Sequence, residues 1–139
     1  MERNFQISNR TNDLSGVLGE VEEFCRVHGV ANETASDVRL VAEEVLTNIV
    51  KYAHDGDVEH AAELRLSASS QSVRMEFRDE GMPFNPLELP APDLHAVPGQ
   101  PPIGGLGVHL VRALVDDATY SREGKVNVLI LIKHAGSTV

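Results

Sequence analysis

The chain has 139 residues, of which 42% are hydrophobic and 24% are charged. This composition is typical of a globular protein, predicts a single domain over residues 1–139, and excludes a disordered chain, collagen and a coiled-coil rod. The net charge is −9, from 21 acidic and 12 basic residues. Because nucleic acids and anionic membranes are bound through basic surfaces, neither is an expected partner.

The sequence also limits which cellular compartment and which metal sites are expected. No apolar run approaches the roughly 18 residues of a membrane-spanning helix, and the first residues lack the apolar stretch of a signal peptide. The single cysteine, Cys25, can form neither an internal disulfide nor a cysteine-based zinc site alone. The six histidines have no zinc-binding spacing. We therefore expect a cytoplasmic protein.

The first half of the chain predicts one strand followed by two helices. A short strand is expected over residues 3–8. Apolar residues recur at helical spacing over residues 12–28, and Gly29 can end that helix. A second apolar stripe predicts a helix from about Thr34 to Ala53, with Thr34 in a capping box at its start.

The middle of the chain predicts a hairpin and then a long loop. Polar and apolar residues alternate over Glu63–Ala68 and again over Ser72–Arg78, which indicates two half-buried strands. All seven prolines lie between residues 83 and 102. A loop of about 20 residues inside a compact domain is usually a functional lid or disordered.

The last part predicts a helix after Gly107 and then a hairpin of residues 117–122 and 125–133, turning at Glu123 and Gly124. The second strand is nearly all apolar, so a central strand covered on both faces is expected. The order β-α-α-β-β-lid-α-β-β favours an α+β two-layer sandwich, with a mixed, mostly antiparallel sheet and its helices on one face.

Three clusters have residue types suited to nucleotide chemistry, and the first lies on the second predicted helix. Glu44, Asn48 and Lys51 fall on one helix face, within a wedge of about 60°. A carboxylate there can act as a base, an amide oxygen can ligate Mg²⁺, and a lysine can neutralise phosphate. The competing interpretation is a solvated face with a Glu–Lys pair, which the spacing alone favours.

The second cluster directly follows a predicted strand, and the third opens a predicted helix. Asp79 can accept a hydrogen bond from an amino group such as that of adenine, and Gly81 lets a ligand ring approach the backbone. Residues 104–107 can present backbone N–H groups and a helix dipole to phosphate. Taken singly, the alternatives are an ordinary Asp-Gly turn and a hinge before a helix.

Together and in this order, the clusters resemble the nucleotide-binding boxes of the Bergerat (GHKL) ATP-binding fold. The matching pattern is Glu44-x-x-x-Asn48, then Asp79-x-Gly81, a variable lid over about residues 83–104, and Gly105-x-Gly107. Within that fold, the sequence is most similar to the bacterial anti-sigma-factor serine/threonine kinases. The resemblance covers nearly the whole chain.

The resemblance implies a role for individual residues. Glu44 would be the general base for the acceptor hydroxyl, and Asn48 would ligate a Mg²⁺ ion that bridges the phosphates of ATP. Asp79 would bind the adenine amine, and Gly81 would leave room for the ring. The other ATP-binding residues implied are Lys51, Pro83, Gly104, Gly105, Leu106 and Gly107.

The resemblance also implies an activity and partners. The chain would be an ATP-dependent kinase that phosphorylates a Ser or Thr of a STAS-domain anti-anti-sigma protein. In such a partner switch, the kinase holds either that antagonist or a sigma factor or other client, and phosphorylation releases the antagonist. A homodimer is also expected. The alternative is a non-catalytic, nucleotide-dependent module that acts by sequestration only, although an intact Glu44 favours catalysis.

Several departures and rival interpretations remain open. Pro83 stands where much of the wider fold has Gly, and Asn85 replaces a common Asp. No Lys or Arg occurs between residues 79 and 111, which leaves Lys51 and Arg112 as candidate cations for the γ-phosphate. A histidine-kinase fragment is disfavoured, because this sequence opens with a strand and not with a phospho-acceptor hairpin. An α+β domain without a nucleotide site is the remaining alternative.

Overall fold

The computed structural model describes residues 2–8, 14–52, 61–81, 83, 85–88 and 106–134. In chain order the elements are β1 (Glu2–Ser8), α1 (Leu14–Val27), α2 (Asn32–Tyr52), β2 (Ala61–Ala68), β3 (Ser72–Asp79), a short 3-10 helix (Pro86–Glu88), α3 (Leu106–Leu114), β4 (Asp117–Glu123) and β5 (Val126–His134). This is the predicted order. No described helix is long and apolar enough to cross a membrane.

The five strands form one sheet in the order β1-β2-β3-β5-β4. Every pairing in the described chain is antiparallel, so the expected mixed sheet is corrected to an antiparallel one. The connections explain this. The two helices between β1 and β2 return the chain to the end of the sheet at which β1 finished, so β2 runs back beside β1. β5 lies between β3 and β4, so β3 and β4 do not pair. The predicted α+β two-layer architecture is confirmed.

The core lies between the helices and one face of the sheet. Alternate residues of neighbouring strands share this face because the side chains of a strand point to opposite faces in turn. Leu64 pairs with Phe77, and Phe77 pairs with Leu129. Six large side chains are less than 2% exposed: Leu46, Leu64, Leu66, Met75, Phe77 and Leu131. The apolar stripes of α1 and α2 complete the core.

The other face of the sheet has a different composition from the helix-covered face. Glu76 is buried there and is paired with three arginines of β2 and β3. β5 adds Val128, which is buried, and Ile130 and Ile132, which are half-buried. β5 is therefore an interior strand, as expected, but the described helices cover only one of its faces.

The end of α1 agrees with prediction, whereas the start of α2 does not. Gly29 has φ +87°, and the amides of Gly29 and Val30 donate to the carbonyls of Arg26 and Cys25. This is a Schellman motif, in which glycine takes the left-handed position. The helix α2 begins at Asn32, two residues earlier than predicted, and Thr34 is buried in its first turn.

The turn between β4 and β5 contains two residues, Gly124 and Lys125, because Glu123 pairs with Val126. Gly124 has φ +62°, which suits glycine at the first position of a two-residue hairpin turn. The predicted turn was one residue too early. This turn places Arg122 and Asn127 opposite each other at the end of the sheet that also carries Asp79.

Candidate functional site

A cleft of about 580 Å³, including space open to solvent, lies between the sheet, α2, α3 and the 3-10 helix. The sheet forms its floor and the helices form its walls. Its lining is mainly apolar, with two amides, one carboxylate and one phenol. The lining residues are Val45, Asn48, Ile49, Phe77, Asp79, Pro86, Leu87, Val111, Tyr120, Asn127 and Leu129. A mostly apolar cleft with a few convergent polar groups is the usual form of a small-molecule site.

The cleft brings together two of the three predicted clusters. Asn48 faces it from α2, one turn after Glu44 and beside the buried stripe that contains Val45. Asp79, the last residue of β3, faces it from the sheet. These residues are far apart in the sequence and were predicted to share a site, and the structure puts them in one cleft.

Asp79 is fixed by its own turn. It is only 6% exposed, and its Oδ2 accepts a hydrogen bond of 3.0 Å from the backbone amide of Gly81. A second bond, of 3.3 Å, comes from Nδ2 of Asn127. Within the described chain no hydrogen bond is donated to Oδ1 of Asp79. A bound ligand with an N–H group can therefore use that oxygen, as the adenine amine would.

Behind Asp79 lies a polar network that was not predicted from the sequence. Oδ1 of Asn127 accepts hydrogen bonds from the hydroxyl of Tyr120 and from Nη1 of Arg122, the latter at 3.1 Å. The same Nη1 donates to the carbonyl of Gly81 at 2.7 Å. The sequence feature that could have indicated this network is Asn127 itself, an amide within the mostly apolar strand β5, because a buried polar side chain needs hydrogen-bond partners.

The 3-10 helix closes one side of the cleft through Pro86 and Leu87. Oδ1 of Asn85 accepts a hydrogen bond of 2.9 Å from the amide of Leu87 and thereby starts this helix. Asn85 had no assigned effect in the sequence, and the structure assigns it this local role. The aliphatic side chain of Leu87 is thus held against the cleft.

The other predicted site residues lie elsewhere or outside the described residues. Glu44 is half-buried on α2 and is not among the residues that line the cleft, and Pro83 is exposed. Leu106 and Gly107 form the start of α3, as predicted for a helix opened by glycines. Gly104 and Gly105, most of the lid and the side chain of Lys51 lie outside the described part.

The described side chains fit a nucleotide better than a protein-only metal site. In the described ranges, no three His, Cys, Asp or Glu side chains cluster closely enough to hold a metal ion. The amide of Asn48 offers one oxygen ligand in the cleft, which suits Mg²⁺ because that ion usually takes few protein ligands together with phosphates and water. The apolar walls suit a purine ring.

Two proteins to which this chain is similar in sequence are named as protein kinases. The serine-protein kinase RsbW of Bacillus cereus strain AH187 is 27% identical over 116 residues, covering 73% of this chain and 69% of its own length. The serine/threonine-protein kinase BtrW of Bordetella bronchiseptica is 29% identical over 96 residues, covering 69% and 68%.

Two solved structures share the fold at 16% identity. The structure of the RsbU and RsbW domains of Rv1364c from Mycobacterium tuberculosis matches with a TM-score of 0.63 over 96% of this chain. This chain spans about a third of that protein chain, 32%. The Acinetobacter baumannii histidine kinase AdeS matches with a TM-score of 0.51 over 97% of this chain and 68% of its own.

A family model for the histidine kinase-like ATPase domain matches residues 7–133, which is nearly the whole chain. The match includes both walls of the cleft and its floor. It confirms the resemblance to the Bergerat ATP-binding fold that the three clusters indicated. The chain belongs to the family of histidine kinase-like ATPase domains.

Proposed function

We propose that this chain is an ATP-dependent protein kinase that transfers phosphate to a serine or threonine hydroxyl of a protein. The observation that carries the proposal is that Asn48 of α2 and Asp79 of β3 line one cleft of an ATPase-family fold. The spacing of these two residues in the sequence does not by itself bring them together in the fold. Because both line the same cleft, one bound nucleotide could use the amide of Asn48 to hold its metal ion and the carboxylate of Asp79 to bind its base.

Adenine would lie at the sheet end of the cleft. Its amine would donate to Oδ1 of Asp79, and its ring would lie against the aliphatic side chains of Ile49, Leu87 and Val111. Burial of a purine ring against such side chains contributes favourably through the hydrophobic effect. Gly81 would leave space for the ring beside the backbone.

The phosphates would lie between Asn48 and the start of α3. The N-terminal end of a helix favours anions, and α3 begins at Leu106 directly after the glycine cluster. Bound Mg²⁺ would neutralise phosphate charge, with Asn48 as its protein ligand. The proposed phosphate contacts also include Lys51, Pro83 and the backbone of Gly104, Gly105, Leu106 and Gly107, under a lid over about residues 83–104.

Glu44 would accept the proton of the acceptor hydroxyl. It lies one helical turn before Asn48 and is half-buried, so it is open to a substrate that arrives from solvent. Phosphoryl transfer depends mainly on positioning and charge stabilisation, with the base holding the nucleophile in line. A protein substrate docked over the cleft would complete that geometry.

The names of RsbW and BtrW support a serine or threonine kinase. The resemblance to anti-sigma-factor kinases leads us to propose a STAS-domain anti-anti-sigma protein as the Ser/Thr acceptor, and a sigma factor or equivalent client as the second partner. In this scheme the kinase holds one partner at a time, and phosphorylation releases the antagonist. We propose a cytoplasmic homodimer of a single domain, residues 1–139.

A second candidate function is nucleotide-dependent sequestration without catalysis. The observation that favours it is the position of Glu44, which is not among the residues that line the cleft. A domain with an intact nucleotide site and an unused carboxylate would still bind a client and release it when the nucleotide changes. The two functions share every binding contact and differ only in phosphotransfer.

Titration calorimetry tests the nucleotide site. We expect ATP to bind in a Mg²⁺-dependent manner, and Asn48→Ala to weaken binding of Mg-ATP by about tenfold or more. Thr47→Ala is the matched control, because Thr47 is the exposed neighbour of Asn48 on α2. Equal affinities for the two variants would contradict the metal-ligand role of Asn48.

Phosphotransfer to purified STAS-domain proteins separates the kinase from the sequestration module. Glu44→Gln should bind ATP normally and lose about 100-fold or more of the transfer rate, the usual contribution of a positioned base. Glu43→Gln is the control, since Glu43 is exposed on the same helix. If Glu44→Gln transferred phosphate at the wild-type rate, Glu44 would not be the base.

A further inference from the structure

Lys133 is a lysine in an apolar setting, on the face of the sheet that the helices cover. It lies opposite Val73 of β3, which is fully buried, and only 16% of its side chain is exposed. The other residues of β5 on this face are all buried: Asn127, Leu129 and Leu131. Because an amine loses hydration in such a position, it needs hydrogen-bond or ion-pair partners there.

The ammonium group has these partners on two helices. Nζ of Lys133 donates to the carbonyl of Leu114, the last residue of α3, at 2.7 Å. It also lies 3.6 Å from Oδ2 of Asp37, in the second turn of α2. The last carbonyls of a helix have no partners within the helix, so a cation at this end is favourable. One side chain of β5 therefore connects the end of α3 to α2 near its start.

The chain just after α3 is held by the same strand. The amide of Asp116 donates to the carbonyl of Ile132 at 2.8 Å. Oδ2 of Asp116 accepts from the amide of His134 at 2.6 Å. The residues on both sides of Lys133 thus hold the chain that leaves α3, and Lys133 adds the link to α2. The C-terminal end of α3 is an anchored point.

Both helices lead from this anchored point to the cleft. Val111 of α3 and Asn48 of α2 line it. The start of α3 at Leu106 is eight residues before Leu114, or about 12 Å at 1.5 Å per residue. A tilt of α3 by about 5° about its anchored end would displace its start by about 1 Å. The connection at Lys133 therefore contributes to the spacing between α3 and α2 at the cleft.

We propose that Lys133 is a positioning residue that sets the space for the nucleotide phosphates between Asn48 and the start of α3. It acts through the carbonyl of Leu114 and the carboxylate of Asp37, and it touches no part of the ligand. The inference rests on the proposed function, since it takes this space to be the phosphate site. It extends that function to a residue at the opposite end of the helices, outside the three sequence clusters.

The test compares Mg-ATP with adenosine, which has the same base but no phosphates, by titration calorimetry. Lys133→Met keeps the length of the side chain and removes its charge. We expect it to weaken Mg-ATP binding by about tenfold, because small displacements within a site are costly, and to change adenosine binding by less than about twofold. Lys125→Met is the matched control for loss of a positive charge, because Lys125 is exposed in the β4–β5 turn.

A second variant separates positioning from charge. Asp37→Asn retains the bond from Lys133 to Leu114 and removes the ion pair with α2. We expect it to weaken Mg-ATP binding by about threefold, as for a partly exposed pair. Loss of a negative charge would by itself favour an anionic ligand, so simple electrostatics predicts the opposite direction. Glu33→Gln is the control, because Glu33 is exposed in the first turn of the same helix.

The outcomes separate the two claims. Weaker Mg-ATP binding in both variants, with adenosine binding retained, would support the proposal. Unchanged Mg-ATP binding in Lys133→Met would overturn it, and so would a parallel loss for Mg-ATP and adenosine, which would mean a general structural role. Unchanged or tighter Mg-ATP binding in Asp37→Asn would also overturn it, and this variant decides the matter if Lys133→Met does not fold. A wild type that binds neither ligand overturns the proposed function itself.

Discussion

Among the described residues, Glu76 is the carboxylate with the most ion-pair partners on the face of the sheet that the described helices leave open. Arg74 and Arg78 each donate to it at 2.9 Å, and Arg65 contacts it at 3.5 Å. Burial alone would raise the pKa of Glu76, but the hydrogen bonds from Arg78 and Arg74, and their positive charges, lower it below its usual range. Glu76 should therefore stay ionised in the folded protein at pH values where the unfolded chain becomes protonated.

We expect Glu76→Gln to destabilise the fold by about 1 kcal/mol at pH 7. The effect is modest because the three arginines are 27–42% exposed and solvent screens their charges. Since the folded pKa is depressed, the stabilisation is complete above the unfolded value of about 4.3 and is lost as pH falls through the folded value. Urea unfolding at pH 7 and pH 3 measures this.

The difference between wild type and Glu76→Gln should thus shrink toward zero at low pH. Glu23→Gln is the control, because Glu23 is exposed on α1 and should show no comparable difference at either pH. A difference for Glu76→Gln that stays constant between pH 7 and pH 3 would mean that packing, and not charge, is responsible.

At the residue scale, the sequence predicted two polar residues that the structure brings into one cleft, but it missed the residues that hold Asp79 in place. Asn48 and Asp79 belong to short local patterns, so they could be predicted. Arg122 and Asn127 matter only because the strand register sets Asn127 opposite Asp79 and Arg122 opposite Asn127. Pairing between strands that are distant in the sequence leaves no local pattern from which these contacts could be found.

Two glycines, Gly19 within helix α1 and Gly29 just after its end, have opposite structural consequences. Gly29 has φ +87° at the helix end, where L-residues are strained, and a Cβ there would meet Ser70 only at an ordinary 3.5 Å. Gly19 lies within α1, and a Cβ there would have nothing within 4 Å. The backbone conformation of Gly29, not its space, therefore makes glycine the suitable residue.

We expect Gly29→Ala to destabilise the protein by about 1–2 kcal/mol, the cost of the left-handed conformation for an L-residue. Gly19→Ala should stabilise it by about 0.5–1 kcal/mol, since alanine loses less backbone entropy in a helix. Chemical unfolding of both variants in parallel gives the comparison. Equal effects of the two substitutions would contradict the Schellman assignment.

At the element scale, the type and order of the elements followed from periodicity, and their ends were less predictable. The end of α1 at Gly29 was predicted because glycine has a specific backbone role there. The start of α2 was placed at Thr34, although Thr34 is buried within the first turn. A threonine gives the same sequence signal whether it caps the helix or lies two positions inside it. Tertiary packing decides which of these two positions it takes.

Cys25 reports on opening of the whole molecule. It is fully buried among the core residues of α1, and burial, with a smaller contribution from the charge of Glu22, raises its pKa to about 11. At pH 8 the native thiol is therefore both inaccessible and protonated, whereas thiol reagents react with an accessible thiolate.

We expect a thiol reagent at pH 8 to label Cys25 slowly in the native protein and rapidly in urea. Saturating Mg-ATP should slow native labelling by roughly 100-fold at 100 times its dissociation constant, because the ligand stabilises only the folded state. Fast labelling of the native protein would contradict the assigned burial. Labelling that ATP does not slow would indicate local opening around α1.

At the scale of the whole molecule, the two-layer fold was predicted from the order of elements, and the antiparallel pairing throughout followed only from the connections. We propose above that the cleft between α2, α3 and the sheet binds ATP with its base at Asp79, and an ¹⁵N–¹H NMR titration with Mg-ATP examines this residue by residue. We expect saturable shifts of the Gly81 backbone amide and of the side-chain amides of Asn48 and Asn127, with the Gly29 amide unchanged. Shifts confined to strand residues on the open face around Glu76, or none at all, would contradict it.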